Sequence, residues 1–149
     1  MEIKFMKSAI REAEKAEKID EIPVGAVIVK DGKVVARGHN KREIKQDALM
    51  HAEIGAISKA CKKLGSWRLD GCDIYITLEP CPMCAGAIIQ ARIENVYFGA
   101  YDPKAGCLGS VCDLSGILPH KIKYEGGIMQ AECEELLKSF FRNLRKKEK

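Results

Sequence analysis

The sequence predicts an α/β sandwich, with helices on both faces of one mixed sheet. Strand-like and helix-like segments alternate along the chain. The first two strand-like segments are joined by a hairpin signal, Asp31-Gly32, which makes their pairing antiparallel. No internal repeat, low-complexity tract or linker interrupts the 149 residues, so residues 1–149 read as a single domain.

Taken in order, residues 3 to 18 set Met6, Ala9, Ile10, Ala13 and Ala16 on one helical stripe, with Lys and Glu opposite. After Pro23, the run from Val24 to Val29 is rich in β-formers, and Lys33 to Gly38 returns as its partner strand. From His51 to Leu64 apolar residues recur at helical spacing. Asp73 to Leu78 reads as a buried strand leading into Pro80-Cys81-Pro82. Pro82 suits the first turn of a helix carrying Ala85 to Ala91. Val96-Tyr97-Phe98 is a third buried strand, Asp102 to Ser110 a glycine-containing loop, and His120 to Tyr124 a short, weaker strand. A last helix puts Leu136, Leu137, Phe140, Phe141 and Leu144 on one face.

Composition narrows the function classes. No stretch approaches the roughly 18 apolar residues of a membrane span. The N-terminus lacks the pattern of a signal peptide, so the expected location is the cytoplasm. Seven cysteines in such a chain favour metal binding or catalysis over a disulfide framework. Only Cys81 and Cys84 form a C-x-x-C pair; Cys61, Cys72, Cys107, Cys112 and Cys133 read as small buried apolar residues. The net charge of +4 is uneven, since the last twelve residues hold six basic side chains (Lys138, Arg142, Arg145, Lys146, Lys147, Lys149) against Glu148. That tail suits a polyanionic partner or, more plainly, a solvated helix end.

The chemistry concentrates in His51-Ala52-Glu53 and Pro80-Cys81-Pro82-Met83-Cys84, each opening a predicted helix. A catalytic zinc takes three protein ligands and keeps a fourth position for water; one histidine and two thiolates supply the three. A helix N-terminus favours the anionic thiolates, and a three-residue spacing turns both sulfurs to one side. His51 and Glu53 are two apart, so they can address one water only where a helix begins. Zinc lowers the pKa of bound water to about 7. Glu53, unligated, can then carry protons between water, ring nitrogen and leaving ammonia. A structural site would need a fourth ligand, which is not evident nearby. A thioredoxin-like redox pair would leave His51 and Glu53 idle. The combination matches the signature of zinc nucleobase deaminases.

Nearly the whole chain resembles the bacterial tRNA-specific adenosine deaminase family. The resemblance lies in Val24-Gly25-Ala26-Val27, Gly38-His39-Asn40, His51-Ala52-Glu53, Ser66-Trp67-Arg68-Leu69, Thr77 to Gly86, Asp102-Pro103-Lys104-Ala105-Gly106 and Phe140 to Arg145. It implies a cytidine deaminase-like three-layer α/β/α sandwich on a mixed, roughly five-stranded sheet. It further implies one Zn2+ per chain, a homodimer, and adenosine-to-inosine conversion at the wobble position of the tRNA anticodon stem-loop. By matching position, Asn40 would hydrogen-bond the flipped base and the Ala52 backbone would line its pocket. Arg42, Asp102, Lys104, Phe141, Arg142 and Arg145 would meet flanking nucleotides. Plainer roles stand beside these: Asn40 as a turn residue, Phe141 as core, Asp102 and Lys104 as solvated loop charges. Leu118-Pro119-His120-Lys121 departs from the family's usual Asn-His segment, away from any ligand. The H-A-E and P-C-x-x-C elements also occur in deaminases of free guanine or cytosine, the alternative function, but such an enzyme needs no basic aromatic terminal helix.

Overall fold

Asp31 and Gly32 adopt positive φ of 51° and 73° and close the expected hairpin between β1 (Gly25–Lys30) and β2 (Lys33–His39). The computed structural model describes residues 1–148; Lys149, counted above in the basic tail, lies outside the described residues. β1 pairs antiparallel on its other edge with β3 (Cys72–Leu78), which runs parallel to β4 (Asn95–Ala100), itself parallel to β5 (Lys123–Glu125). The five-stranded order is β2-β1-β3-β4-β5, a mixed sheet as expected.

Alternation along the strands makes two cores. Ala26, Ile28, Ile74 and Ile76 face α3 (Ala52–Leu64) and α4 (Pro82–Gln90), meeting Ala52, Ala56, Ala60, Ile88 and Ile89. Val27, Val29 and Tyr75 point the other way, onto Phe5, Met6 and Ala9 of α1 (Ile3–Lys18) and Cys133 of α5 (Gln130–Glu148). The layers touch closely. A Cβ on Gly38 would lie 2.7 Å from the Ala56 backbone nitrogen and would overlap the Ala52 carbonyl; Gly25 abuts Ala9 and Ala13 of α1 in the same way. Only glycine lets α3 lie this near β2.

Three expectations need correction. A short helix, α2 (Arg42–Lys45), was not legible, because four polar-rich residues carry no periodicity. The weak strand lies at Lys123–Glu125 rather than His120–Tyr124; His120 instead has its Nε2 2.9 Å from the Ile93 carbonyl oxygen. Of the cysteines read as buried, Cys72, Cys107 and Cys133 are, whereas Cys61 is half-buried and Cys112 is exposed. Among the described residues, no helix is long and apolar enough to cross a membrane.

Candidate active site

The strand directions bring four chain segments to one rim of the sheet. β2 ends at His39 and delivers Asn40; β3 ends at Leu78 and delivers Glu79-Pro80-Cys81; β4 ends at Ala100 and delivers Asp102; Val24 enters β1 from the same side. α3 and α4 both begin here. His51 is the N-cap of α3 and Cys81 the N-cap of α4, with Pro82 at its first position. The helix starts expected from sequence are therefore where the candidate ligands gather.

His51, Cys81 and Cys84 form a group that could hold a metal ion, their ligand atoms all within 4.8 Å of one another. His51 Nδ1 lies 3.6 Å from Cys81 Sγ and 3.5 Å from Cys84 Sγ. Tetrahedral bonds of about 2.05 Å to nitrogen and about 2.3 Å to sulfur place those atoms about 3.6 Å apart. The donor set therefore fits a zinc ion in spacing as well as in chemistry.

The two thiols are pushed in opposite directions. A hydrogen bond from Cys84, aided by His51 and opposed by burial, pushes the Cys81 thiol down to about 4. The same contact, with burial and the nearby Glu53 carboxylate, pushes Cys84 up. His51 is raised above its ordinary value, first by its hydrogen bond to Cys81, against the effect of burial. Glu53 is buried and its carboxyl is raised, chiefly by desolvation. A carboxyl so placed accepts protons more readily than one in water, as a proton carrier must.

These groups open onto a pocket of about 170 Å³ lined by Ile22, Val24, Asn40, Arg42, His51 and Ala52, with Glu53, Cys81, Asp102 and Ala105 among its remaining walls. It is smaller than the roughly 300–1,000 Å³ clefts that take drug-sized ligands, a size suited to one planar base. The Asn40 amide is already engaged: its Oδ1 accepts the Arg42 N–H at 3.1 Å and its Nδ2 donates to the Ile22 carbonyl at 3.2 Å. One N–H and one lone pair remain.

The other candidate residues lie further out. Phe141 borders an adjoining groove with Asn40 and Arg42, and it is exposed rather than part of the core. Arg142 and Arg145 flank Phe141 on its far side, and Arg142 is bonded to Glu135 at 2.9 Å. Lys104 is exposed; its backbone N–H, not its side chain, reaches Asp102 Oδ1 at 3.0 Å.

Two buried acids beside the pocket were missed by sequence reasoning. Glu21 accepts the N–H groups of Glu43 and Ile44 at 3.1 and 2.9 Å and so anchors α2 beside the pocket. Glu79 accepts N–H groups from Asp102, Leu108 and Ser110. Burial alone would raise its carboxyl, but these bonds and the Ser110 hydroxyl hold it below the ordinary range. The available signal was an acid abutting a Pro-Cys ligand turn at the end of an apolar strand.

Comparison with known proteins agrees with this geometry. Residues 2–145 match the MafB19-like deaminase family. A tRNA-specific adenosine deaminase of Bacillus subtilis is 50% identical over 147 residues, spanning 97% of this chain and 91% of that protein. One from Aquifex aeolicus is 44% identical over 143 residues, spanning 95% and 94%. Among solved structures, one from a study of A-to-I editing by tRNA:A34 deaminases superposes with a TM-score of 0.85 at 43% identity, covering 91% of this chain and all of that one. A guanine deaminase from Bacillus subtilis superposes with a TM-score of 0.63 at 46% identity, over 66% of this chain and 63% of that one.

Proposed function

Because the chain belongs to the tRNA-specific adenosine deaminase family, we propose that it hydrolyses adenosine to inosine at the wobble position of tRNA anticodons, releasing ammonia. The observation that carries the chemistry is the histidine nitrogen 3.5 and 3.6 Å from two thiol sulfurs, with a buried carboxylic acid on the same helix turn. Identity over the full length favours this reading: one guanine deaminase structure covers about two thirds of this chain and another covers 94% of it at only 23% identity, whereas the tRNA-specific adenosine deaminases are 44–50% identical over almost all of it.

His51, Cys81 and Cys84 hold one zinc ion per chain in a single domain. When bound, the ion supplies a water acidic enough to act as nucleophile near neutral pH. Asn40 uses its free N–H and lone pair to fix the edge of a base extruded from the anticodon loop, and the Ala52 backbone closes the pocket. Glu53 takes one proton of the attacking water onto its carboxylate and passes it to the ring nitrogen of the base. It then takes the second proton, from the hydroxyl newly bonded to carbon, and delivers it to the amine, which leaves as ammonia when the C–N bond breaks and the carbonyl forms. Burial of Glu53 keeps that proton from exchanging with bulk solvent. Arg42, Asp102, Lys104, Phe141, Arg142 and Arg145 receive the flanking nucleotides, the aromatic ring by stacking and the cations through phosphates. The same reading carries a homodimer acting in the cytoplasm, the former checked by sedimentation.

The test is to incubate purified protein with an anticodon stem-loop bearing a wobble adenosine, and separately with free adenine, guanine and cytosine. Inosine from the stem-loop, with the free bases untouched, is the expected result. Turnover of guanine or cytosine in place of the stem-loop would replace this reading with the free-base one.

A further inference from the structure

Glu79 is a buried acid that the reaction just described does not use. Its residue is 2% exposed, and both carboxylate oxygens are occupied. Oε1 accepts the Asp102 backbone N–H at 3.0 Å and the Ser110 hydroxyl. Oε2 accepts the N–H groups of Leu108 at 3.0 Å and Ser110 at 3.1 Å. Among the described residues no lysine, arginine or histidine pairs with it. A buried carboxylate without a cation is costly unless donors surround it, and here every donor comes from one loop. Gly106 completes the wrapping, because a Cβ there would run into the Glu79 carboxyl group. The loop from Asp102 to Ser110 is thus wound around a single side chain.

The position of that side chain in the sequence matters. Only Pro80 separates Glu79 from Cys81, and the Pro80 carbonyl accepts the Cys107 N–H at 2.9 Å. One short segment therefore presents a thiol to the metal site and a carboxylate to the loop. The same loop supplies Asp102 and Ala105 to the pocket wall. We propose that Glu79 is a positioning residue that fixes the Asp102–Ala105 wall relative to the metal-binding thiols, and so sets how tightly the RNA around the target base is held. This rests on the function proposed above. A carboxylate suits the role because it is acceptor-only. Glutamine at this position turns an N–H toward backbone N–H donors, leaving at least one of them unmet.

The experiment compares zinc-loaded wild type, Glu79→Gln and Ser110→Ala. Hydrogen exchange of the 102–110 amides, read by mass spectrometry, is expected to accelerate roughly tenfold or more in Glu79→Gln, because bonds to a charged acceptor are lost. The segments of α3 and α4 keep their wild-type rates and serve as reference. With an anticodon stem-loop, KM is expected to rise by about tenfold while kcat stays within about threefold, since the interaction lost holds substrate and transition state alike. Ser110→Ala moves both readouts the same way by a smaller factor. Unchanged exchange, loss of zinc, or a fall in kcat with KM unmoved each overturns the proposal, the last because it marks a purely structural acid. If Glu79→Gln does not fold, Ser110→Ala decides alone, and wild-type exchange and KM there overturn it. Failure of the wild type to deaminate the stem-loop would count against the function; the exchange readout would still decide the role of Glu79.

Discussion

Gly38→Ala tests how the fold holds the chemistry. Its Cβ would sit 2.7 Å from the Ala56 nitrogen, about 0.7 Å inside the 3.4 Å of an ordinary contact, and would press harder still on the Ala52 carbonyl. Both obstacles are helix backbone and cannot swing aside. α3 must therefore lift from the sheet by most of an ångström, carrying His51 and Glu53 away from Cys81 and Cys84, which ride on α4. Overpacking of this kind costs about 1–3 kcal/mol. At about 2–4 °C per kcal/mol for a chain of this length, Tm falls by about 2–12 °C. A displacement near 1 Å at a reacting centre can cost on the order of 100-fold, so single-turnover deamination should fall by about 10- to 100-fold. Zinc affinity, measured by chelator competition, drops with it. Gly25→Ala is the control: its clash is with α1, on the face that carries no ligand, so a similar Tm loss should come with a much smaller loss of rate. Equal rate losses in the two variants would refute the idea that α3 placement, rather than stability, governs turnover. So would wild-type turnover in Gly38→Ala.

Glu53→Gln should keep zinc and the folded state while turnover collapses by about 100-fold or more, as expected for a lost proton carrier; loss of zinc from that variant would instead make the glutamate a ligand. Cys84→Ser should lose zinc by elemental analysis and unfold at lower temperature, whereas Cys61→Ser and Cys133→Ser should retain it. Because Cys84 and His51 hold their protons above their ordinary values, metal uptake must displace protons: zinc affinity should fall as pH is lowered through neutrality, and calorimetry in buffers of different ionisation enthalpy should show proton release. The Glu79 carboxyl, held low in the folded state, contributes stability that is complete above about pH 4.3 and fades as pH falls through its folded value, so Glu79→Gln should narrow the pH dependence of Tm on the acid side. Replacing Arg142 and Arg145 with alanine should lower the slope of log K against log salt for the stem-loop by about 1.4, with Tm and zinc unchanged; an unaltered slope would make the tail a merely solvated helix end.

Much of this was legible because the two signals involved are local. Residues 3–18 and 51–64 declare helices through periodicity, and Asp31-Gly32 declares a hairpin through turn chemistry. The candidate metal group was legible for the same reason, since helix starts can be read from Pro82 and from the polar residues before His51. What escaped depends on contacts distant in sequence. Nothing near Glu79 hints that residues 102 to 110 will fold around it, nor near Glu21 that residues 43 and 44 will cap onto it. The α2 turn has no apolar face; Asn40 accepts its first amide, from Arg42, and the distant Glu21 accepts the next two. Exposure of Cys112 and Phe141 likewise depends on where the loop and terminal helix lie, which periodicity does not record.

Strand polarity separates the parts of this molecule that can change from those that cannot. The residues proposed to bind zinc and move protons sit at two helix starts pinned to the sheet by packed alanines and by Gly38. The segments proposed to choose among amines lie along the same rim, with Asn40 and Gly106 to Leu108 buried, and Arg42 to Lys45, Lys104 and Phe141 exposed. Substitutions in those segments can trade one substrate for another without crossing the core. A lineage built on this plan can vary the rim that meets the substrate while the two helix starts stay fixed.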